Sequence, residues 1–194
     1  MHISANIDDC AIIIENFLED NYFKKVSNFN FSNLDLTNSH ENWEKNLFKE
    51  NNQTTMNEVI QTKDHILEYE KGKLKKCIDP LFEEIIQTLI NCSFIPYHFN
   101  SSITFSYYEY NKFSGINWHN DGHYTLSYSF YIMDEWLPNW GGETLIDTKR
   151  GMPLASTPKP NSILAIKNGI LHKVCPVTGP KKRKVLQIRN TFYE

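Results

Sequence analysis

His119 and Asp121 stand two residues apart in the run Trp118-His119-Asn120-Asp121, and a second histidine, His172, lies in Gly169-Ile170-Leu171-His172-Lys173-Val174 in the C-terminal quarter. An H-x-D pair followed by a distant His is the donor set of a mononuclear non-haem Fe(II) site, the two-His-one-carboxylate facial triad. On a strand, residues two apart point to the same side, so His119 and Asp121 can reach one ion while Asn120 faces away. Three protein ligands on one face of an octahedral ion leave positions for a bidentate co-substrate and for dioxygen. The H-x-D pair alone is a weak signal, because such residues often meet on a surface strand. His172 and the surrounding elements strengthen it.

The elements that must position these residues fall into two halves. Ile12-Ile13-Ile14 reads as a short buried strand, and Phe17–Val26 as a turn followed by an amphipathic helix. Residues from Asn28 to Thr62 are Asn-rich and polar, which predicts loop and short helices. From Leu74 to Leu89, apolar residues at Leu74, Cys77, Ile78, Leu81, Phe82, Ile85, Ile86 and Leu89 follow the helical period. Beyond Pro96 the chain becomes aromatic and β-branched, punctuated by Gly, Pro and Asn. Candidate strands are Ile103–Tyr110, Tyr124–Met133, Glu143–Ile146, Ser162–Lys167, His172–Pro176 and Val185–Tyr193. Close-set strands with no helices between them predict an antiparallel sandwich or barrel, of which a jelly roll fits best.

Two of these strands have a face that could line a site. In Tyr124–Met133, Leu126, Tyr128, Phe130 and Ile132 share one face, and Thr125, Ser127, Ser129 and Tyr131 the other. Either the polar face meets solvent, or helices cover the apolar face and the polar one lines a cavity. In the last strand Arg183, Val185, Gln187 and Arg189 alternate onto one face. An arginine aimed into a cavity could hold a carboxylate through a bidentate, charge-assisted pair. The alternative makes Lys181-Lys182-Arg183-Lys184 a solvated turn and Arg189 a surface residue.

At 194 residues, with 40% apolar residues, the chain can bury a full core and is expected to form one domain. A formal net charge of −3 and a pI near 6.2 disfavour a surface built to grip phosphate backbones. Cys10, Cys77, Cys92 and Cys175 are scattered, without a CxxC pair, which suggests reduced thiols rather than a zinc site or disulfide framework. No basic leader and no long apolar run are present, so the expectation is a cytoplasmic protein without membrane association.

Taken together, Tyr110, Gly115-Ile116-Asn117-Trp118-His119-Asn120-Asp121, Trp140-Gly141-Gly142-Glu143-Thr144-Leu145, Pro158-Lys159-Pro160-Asn161 and His172-Lys173-Val174-Cys175-Pro176-Val177 resemble the Fe(II)/2-oxoglutarate-dependent dioxygenases, in their prolyl-hydroxylase-like branch. The resemblance spans roughly Phe105 to Phe192. It implies a mostly β fold with supporting N-terminal helices, a double-stranded β-helix or jelly roll, with helical support over 1–95 and the jelly-roll core over 96–194. It implies His119, Asp121 and His172 as iron ligands, and Tyr131 and Arg183 as partners of the distal carboxylate of 2-oxoglutarate. Lys182 and Lys184 flank Arg183, and a one-residue slip at Gly179-Pro180 would turn them inward instead. Arg189 is the other candidate for that carboxylate, and Tyr110 for the cavity wall. His123 would crowd the open positions as a fourth ligand and is expected to face substrate or solvent. Trp118 and Trp140 are expected to pack, and Gly141-Gly142 to make a turn closed to other residues.

The implied cofactors are Fe(II), 2-oxoglutarate as co-substrate and dioxygen, with ascorbate a candidate reductant. The implied reaction hydroxylates a C–H bond of a protein or peptide side chain, or of an amino-acid-like small molecule, releasing succinate and carbon dioxide. Asp121 points to hydroxylation, because halogenases of this fold lack the carboxylate ligand. Two alternatives stay open. One is an oxidative demethylase of alkylated nucleic acid, whose paired arginines resemble Arg183 and Arg189. The other is a non-catalytic jelly-roll module that binds a metal or ligand. Substrate, oligomeric state and the role of residues 28–62 are not specified by the sequence.

Overall fold

The computed structural model of the chain describes residues 1–7, 9–31, 36–38, 59–62, 65–70, 73–74, 80–91, 100–122 and 124–193. Among the described residues, fourteen strands and two α-helices follow in the order β1 (His2–Ile7), β2 (Ala11–Glu15), α1 (Asp20–Ser27), β3 (Leu36–Asn38), β4 (Val59–Thr62), β5 (His65–Glu70), β6 (Lys73–Leu74), α2 (Pro80–Asn91), β7 (Asn100–Tyr110), β8 (Ile116–His119), β9 (Leu126–Tyr131), β10 (Thr144–Ile146), β11 (Leu154–Ser156), β12 (Ser162–Lys167), β13 (His172–Val174) and β14 (Arg183–Tyr193). They build a ten-stranded sheet whose main path runs β1-β2-β12-β9-β14-β7-β4-β3. A four-stranded sheet, β11-β10-β13-β8, forms the second layer. The strand pairs are antiparallel, as expected for a jelly roll.

The large sheet has two apolar layers. Tyr128, Phe130, Ile132, Leu186 and Ile188 meet Phe17, Val26, Phe82, Ile85, Ile86 and Leu89 of the helical side. α2 presents Phe82, Ile85, Ile86, Leu89 and Ile90 to this core, the i, i+3, i+4 stripe of an amphipathic helix. Phe82 lies 4.5 Å from Phe105, and Phe17 meets Phe130 edge-on at 5.3 Å. On the opposite face, Tyr108, Tyr110, Tyr131, Leu164 and Val185 meet Ile116, Ile146 and Val174 of the small sheet. The site opens between these two sheets.

Several expectations are corrected. The helix predicted over Leu74–Leu89 is α2, Pro80–Asn91, and Leu74 belongs to β6. Pro80 lacks the N–H that a mid-helix position must donate, so it takes the first helical position. Within Asn28–Thr62 the described parts include strands β3 and β4, where the polar composition predicts short helices. Phe31 from that segment is buried and stacks on Tyr107 at 4.2 Å, anchoring the start of the segment to the sheet. The first 95 residues are therefore not helical support alone, because β1 and β2 extend the large sheet beside β12.

Candidate active site

Strand register brings the three donors together. β8 and β13 pair so that His119 and His172 are direct cross-strand partners, with ring centroids 4.3 Å apart. Asp121 follows just beyond the end of β8. One ligand atom from each of His119, Asp121 and His172 lies within 4.8 Å of the others, a separation that one metal ion could bridge. The Nδ1 of His119 sits 2.7 Å from the carbonyl of Asn117, and that of His172 sits 3.0 Å from the carbonyl of Ile170. A carbonyl only accepts, so each Nδ1 keeps its proton, and in the neutral ring the Nε2 lone pair is left for a metal. These backbone contacts also fix ring orientation.

Electrostatics favour the ligand-competent protonation states. Burial pushes His119 down to about 4, with the charge of His172 adding to the effect, so its ring is neutral near pH 7. Burial also opposes ionisation of Asp121, but Arg189 and then His172 outweigh it and hold the carboxyl below its usual range. Asp121 thus stands ionised beside two imidazoles. Its Oδ2 is buried and has no hydrogen-bond partner, although His172 Nε2 is 3.9 Å from it. A buried anionic oxygen left this way is costly unless a cation completes it.

The cavity beside the triad is lined by Tyr108, Tyr110, Ser129, Thr144, Arg183, Gln187 and Arg189, together with Ile116 and Val174. Arg183 is only 1% exposed. Its guanidinium packs 4.6 Å from the Tyr110 ring and 5.1 Å from the Tyr131 ring, while Nη2 reaches Thr144 Oγ1 at 3.3 Å and Tyr131 Oη at 3.5 Å. No acidic group is among these contacts, and the buried Nε has no partner. The turn of Gly141 and Gly142, at φ of 71° and 72°, makes room for it. A Cβ on Gly142 would stand 3.0 Å from the Arg183 chain, and one on Gly141 would stand 2.3 Å from the Pro176 carbonyl.

Arg189 is buried in the same cavity but keeps different company. Its Nε lies 4.0 Å from Asp121 Oδ1, Nη2 donates to Tyr108 Oη at 2.8 Å, and Nη1 donates to Ser106 Oγ at 3.3 Å. The rings of Tyr124 and Tyr108 lie 5.4 and 5.6 Å from the guanidinium. Ser129 donates to Gln187 Oε1 at 2.8 Å, closing the wall between the two arginines.

The structure therefore gathers His119, Asp121, His172, Tyr110, Arg183 and Arg189 around one cavity, with Tyr131 in contact with Arg183. The solvated-turn reading of residues 181–184 fails at Arg183. Lys182 pairs with Glu109, and Lys181 lies 2.9 Å from Glu135, so the lysines point outward. Arg189 is not a surface residue. Trp118 is exposed instead of packed, with the Lys173 ammonium 5.5 Å above its ring. Facing His119 toward the cavity sends its neighbour to the outer side of a sheet-edge strand. His123 lies outside the described residues, as do Cys77 and Cys92, whereas Cys10 and Cys175 are free. The sequence pattern places Gln187 on the face shared with Arg183 and Arg189, but does not single out Thr144, Tyr108 or Tyr124 as parts of the site. For Thr144 the available signal is its alternation with buried Ile146 on β10.

The sequence model of the 2OG-Fe(II) oxygenase superfamily matches residues 104–188, which hold the triad, the Gly141-Gly142 turn and Arg183. Over these residues the chain has the pattern of a 2OG-Fe(II) oxygenase. The oxygenase resembles a 2OG-Fe(II) family oxidoreductase of Burkholderia pseudomallei at 12% identity, covering 97% of this chain and 92% of the other, with a TM-score of 0.68. A Trichoplax adhaerens prolyl hydroxylase in complex with a hypoxia inducible factor peptide fragment gives 0.64 at 12% identity, covering 95% and 87%. The viral collagen prolyl hydroxylase of Paramecium bursaria Chlorella virus-1, in its 2OG complex, gives 0.61 at 14% identity, covering 95% and 98%. No curated protein sequence matches the chain. The oxygenase is an iron- and 2-oxoglutarate-dependent enzyme of prolyl-hydroxylase-like fold. Two of the buried atoms without partners, Asp121 Oδ2 and Arg183 Nε, lie at this site and fit this chemistry, one calling for a cation and the other for an anion. Among the described residues, no helix is long and apolar enough to cross a membrane.

Proposed function

We propose that this oxygenase hydroxylates a C–H bond of an amino-acid unit, presented in a peptide or protein or as a small molecule. His119, Asp121 and His172 would hold Fe(II), and Arg183, with Tyr131 and Thr144, would hold the distal carboxylate of 2-oxoglutarate. The observation that carries this reading is the juxtaposition of a partnerless Asp121 Oδ2 with a buried arginine that has no acidic contact, in one cavity.

When bound, iron and 2-oxoglutarate turn dioxygen into the oxidant that attacks the C–H bond, with succinate and carbon dioxide released. The chain supplies the geometry and the field. Asn117 and Ile170 lock the imidazoles by their Nδ1 protons, keeping both Nε2 atoms on the cavity side. Arg189 and Ser127 keep Asp121 ionised and aimed inward. The Arg183 fork lies between two tyrosine rings, so a carboxylate arriving there exchanges water for preset donors in a site shielded from solvent. Asp121 also occupies the position that a halide would need, which favours hydroxyl transfer.

The peptide-bound Trichoplax prolyl hydroxylase and the viral collagen prolyl hydroxylase support a prolyl or related side chain as the acceptor. One observation favours a second reading. Arg183 and Arg189 converge in a single cavity, a pairing similar to the paired arginines of nucleic-acid demethylases. Incubation of purified protein with Fe(II), ascorbate and 2-oxoglutarate tests the proposal. Slow succinate formation is expected without substrate, and a mass gain of one oxygen on peptides or amino acids with it. Formaldehyde release from methylated oligonucleotides would select the second reading. Iron-loaded, folded protein that forms no succinate would overturn both.

A further inference from the structure

The cavity face of β14 carries Arg183, Val185, Gln187 and Arg189 in that order. Gln187 therefore sits next to the arginine that meets Asp121, at the metal end, and four residues from Arg183, which is roughly 13 Å along a strand. Register sets it opposite Ser129 on β9 and Ser106 on β7, and its side chain lines the cavity. Ser129 gives its hydroxyl proton to Gln187 Oε1 at 2.8 Å. An amide whose oxygen is held in this way turns its amino group aside, and Gln187 Nε2 makes no hydrogen bond to the described residues.

The other donors at this end are committed. Arg189 spends its three nitrogens on Asp121, Tyr108 and Ser106. The Nδ1 protons of His119 and His172 go to backbone carbonyls, and Ser127 bonds Asp121. The co-substrate brings an acceptor to the same place. A 2-oxo acid that chelates a metal uses its keto oxygen and one oxygen of its 1-carboxylate, which leaves the second oxygen of that carboxylate off the metal. Shielded from solvent, an oxygen that shares a carboxylate charge needs a donor. Gln187 and Ser129 are both half-buried, so the amide exchanges water for this oxygen without first standing dry and unpaired.

We propose that Gln187, oriented by Ser129, donates from Nε2 to the metal-free oxygen of the 1-carboxylate of 2-oxoglutarate. This assignment rests on the oxygenase reading above and deepens it. Arg183 holds the distal end of the co-substrate, Gln187 holds the chelating end, and Ser129 is a positioning residue that acts through the amide. Arg189 is left to the carboxylate of Asp121.

The test measures 2-oxoglutarate binding calorimetrically on Mn(II)-loaded protein, and records the visible charge-transfer band of the 2-oxo acid chelate on Fe(II)-loaded protein, both without oxygen. Gln187→Met keeps the length of the side chain and loses the donor. It should weaken 2-oxoglutarate about tenfold and shift the band, with Mn(II) affinity and melting temperature unchanged. Ser129→Ala frees the amide to turn and should give a smaller loss, about threefold, with a band shift in the same direction. Pyruvate has the chelating end without the distal carboxylate, so Gln187→Met should weaken it by the same factor, and Arg183→Ala should leave it unchanged. An unaltered affinity and band in Gln187→Met overturns the proposal. So does a loss for 2-oxoglutarate that pyruvate does not share, which would place the amide at the distal end. A fall in melting temperature or Mn(II) affinity without a band shift makes Gln187 a structural residue and overturns it as well. Should Gln187→Met fail to fold, Ser129→Ala decides by the same readouts. Wild-type protein that holds the metal but binds neither 2-oxoglutarate nor pyruvate overturns the oxygenase reading along with this one, whereas wild-type binding with unaltered variants overturns this one alone.

Discussion

Strands β9 and β14 carry opposite chemistry on their two faces. Toward the helices they present Tyr128, Phe130, Leu186 and Ile188, at most 1% exposed and packed on α1 and α2. Toward the small sheet the same strands present Ser129, Tyr131, Arg183, Gln187 and Arg189, equally dry for the two arginines but polar and only partly satisfied. One face gains from every atom it hides, at about 25 cal/mol per Å² of apolar surface. The other hides charge at a cost. A folded chain retains such a face when something it binds offsets the cost, so the contrast separates residues that hold the fold from residues that hold the reaction.

The sharpest way to break this contrast is at the metal donors. His119→Ala should abolish metal binding and succinate formation while shifting stability by less than about 1 kcal/mol, since the ring is neutral and only half-buried. Metal titration and thermal melts check the two halves of this statement. A melt that collapses together with the activity would mean that the polar face also carries the fold. On the other face, Phe130→Ala should cost about 3–5 kcal/mol, because the ring is fully buried between Phe17 and Phe23. Chemical denaturation measures this. Any properly folded fraction should keep its metal affinity, because Phe130 faces away from the cavity.

How far the sequence reveals this division depends on whether a segment alternates. β9 and β14 do, so the period-two pattern by itself assigns Ser129 and Tyr131 to one face of the first strand, and Arg183 and Arg189 to one face of the second. β1 does alternate, Ile3, Ala5 and Ile7 against His2, Ser4 and Asn6, but the run is short and exposed along most of its length, so the pattern is too weak to mark a buried strand. β3 and β4 run three and four residues, too short for a period-two pattern to emerge from an Asn-rich stretch. The helical period extends the predicted α2 six residues too far, past a proline that ends the helix physically. The triad is legible because ligand chemistry restricts residue type. Tyr108, Ser106 and Tyr124 are not, since the two hydroxyls and the ring that surround Arg189 come from partners set by the fold, which a linear reading does not supply.

Within the polar face, the contrast can be sharpened by grading its residues. Arg183→Ala should raise the 2-oxoglutarate requirement by a factor of about 10 to 150, corresponding to a charge-assisted pair of roughly 1.5–3 kcal/mol. The saturation curve for succinate formation reads this. If Arg189→Ala produced that shift and Arg183→Ala did not, the assignment of the two ends of the cavity would be reversed.

Tyr131→Phe should have the smallest effect, and its size is informative. The hydroxyl lies 3.5 Å from Arg183 Nη2 and 3.4 Å from Thr144 Oγ1, both long contacts, while the ring itself packs against the guanidinium. Removing the oxygen therefore sacrifices two long contacts, one from the guanidinium and one with Thr144, and leaves the ring in place; at these lengths the loss is about 0.5–1.5 kcal/mol. The expected result is a rise of about two- to twelvefold in the 2-oxoglutarate concentration for half-saturation, with little change in the rate at saturation. A loss of stability without that rise would place Tyr131 with Phe130, as a core residue that happens to face the cavity. A rise as large as that of Arg183→Ala would show that the hydroxyl binds the carboxylate directly, at a distance that closes when the co-substrate is present.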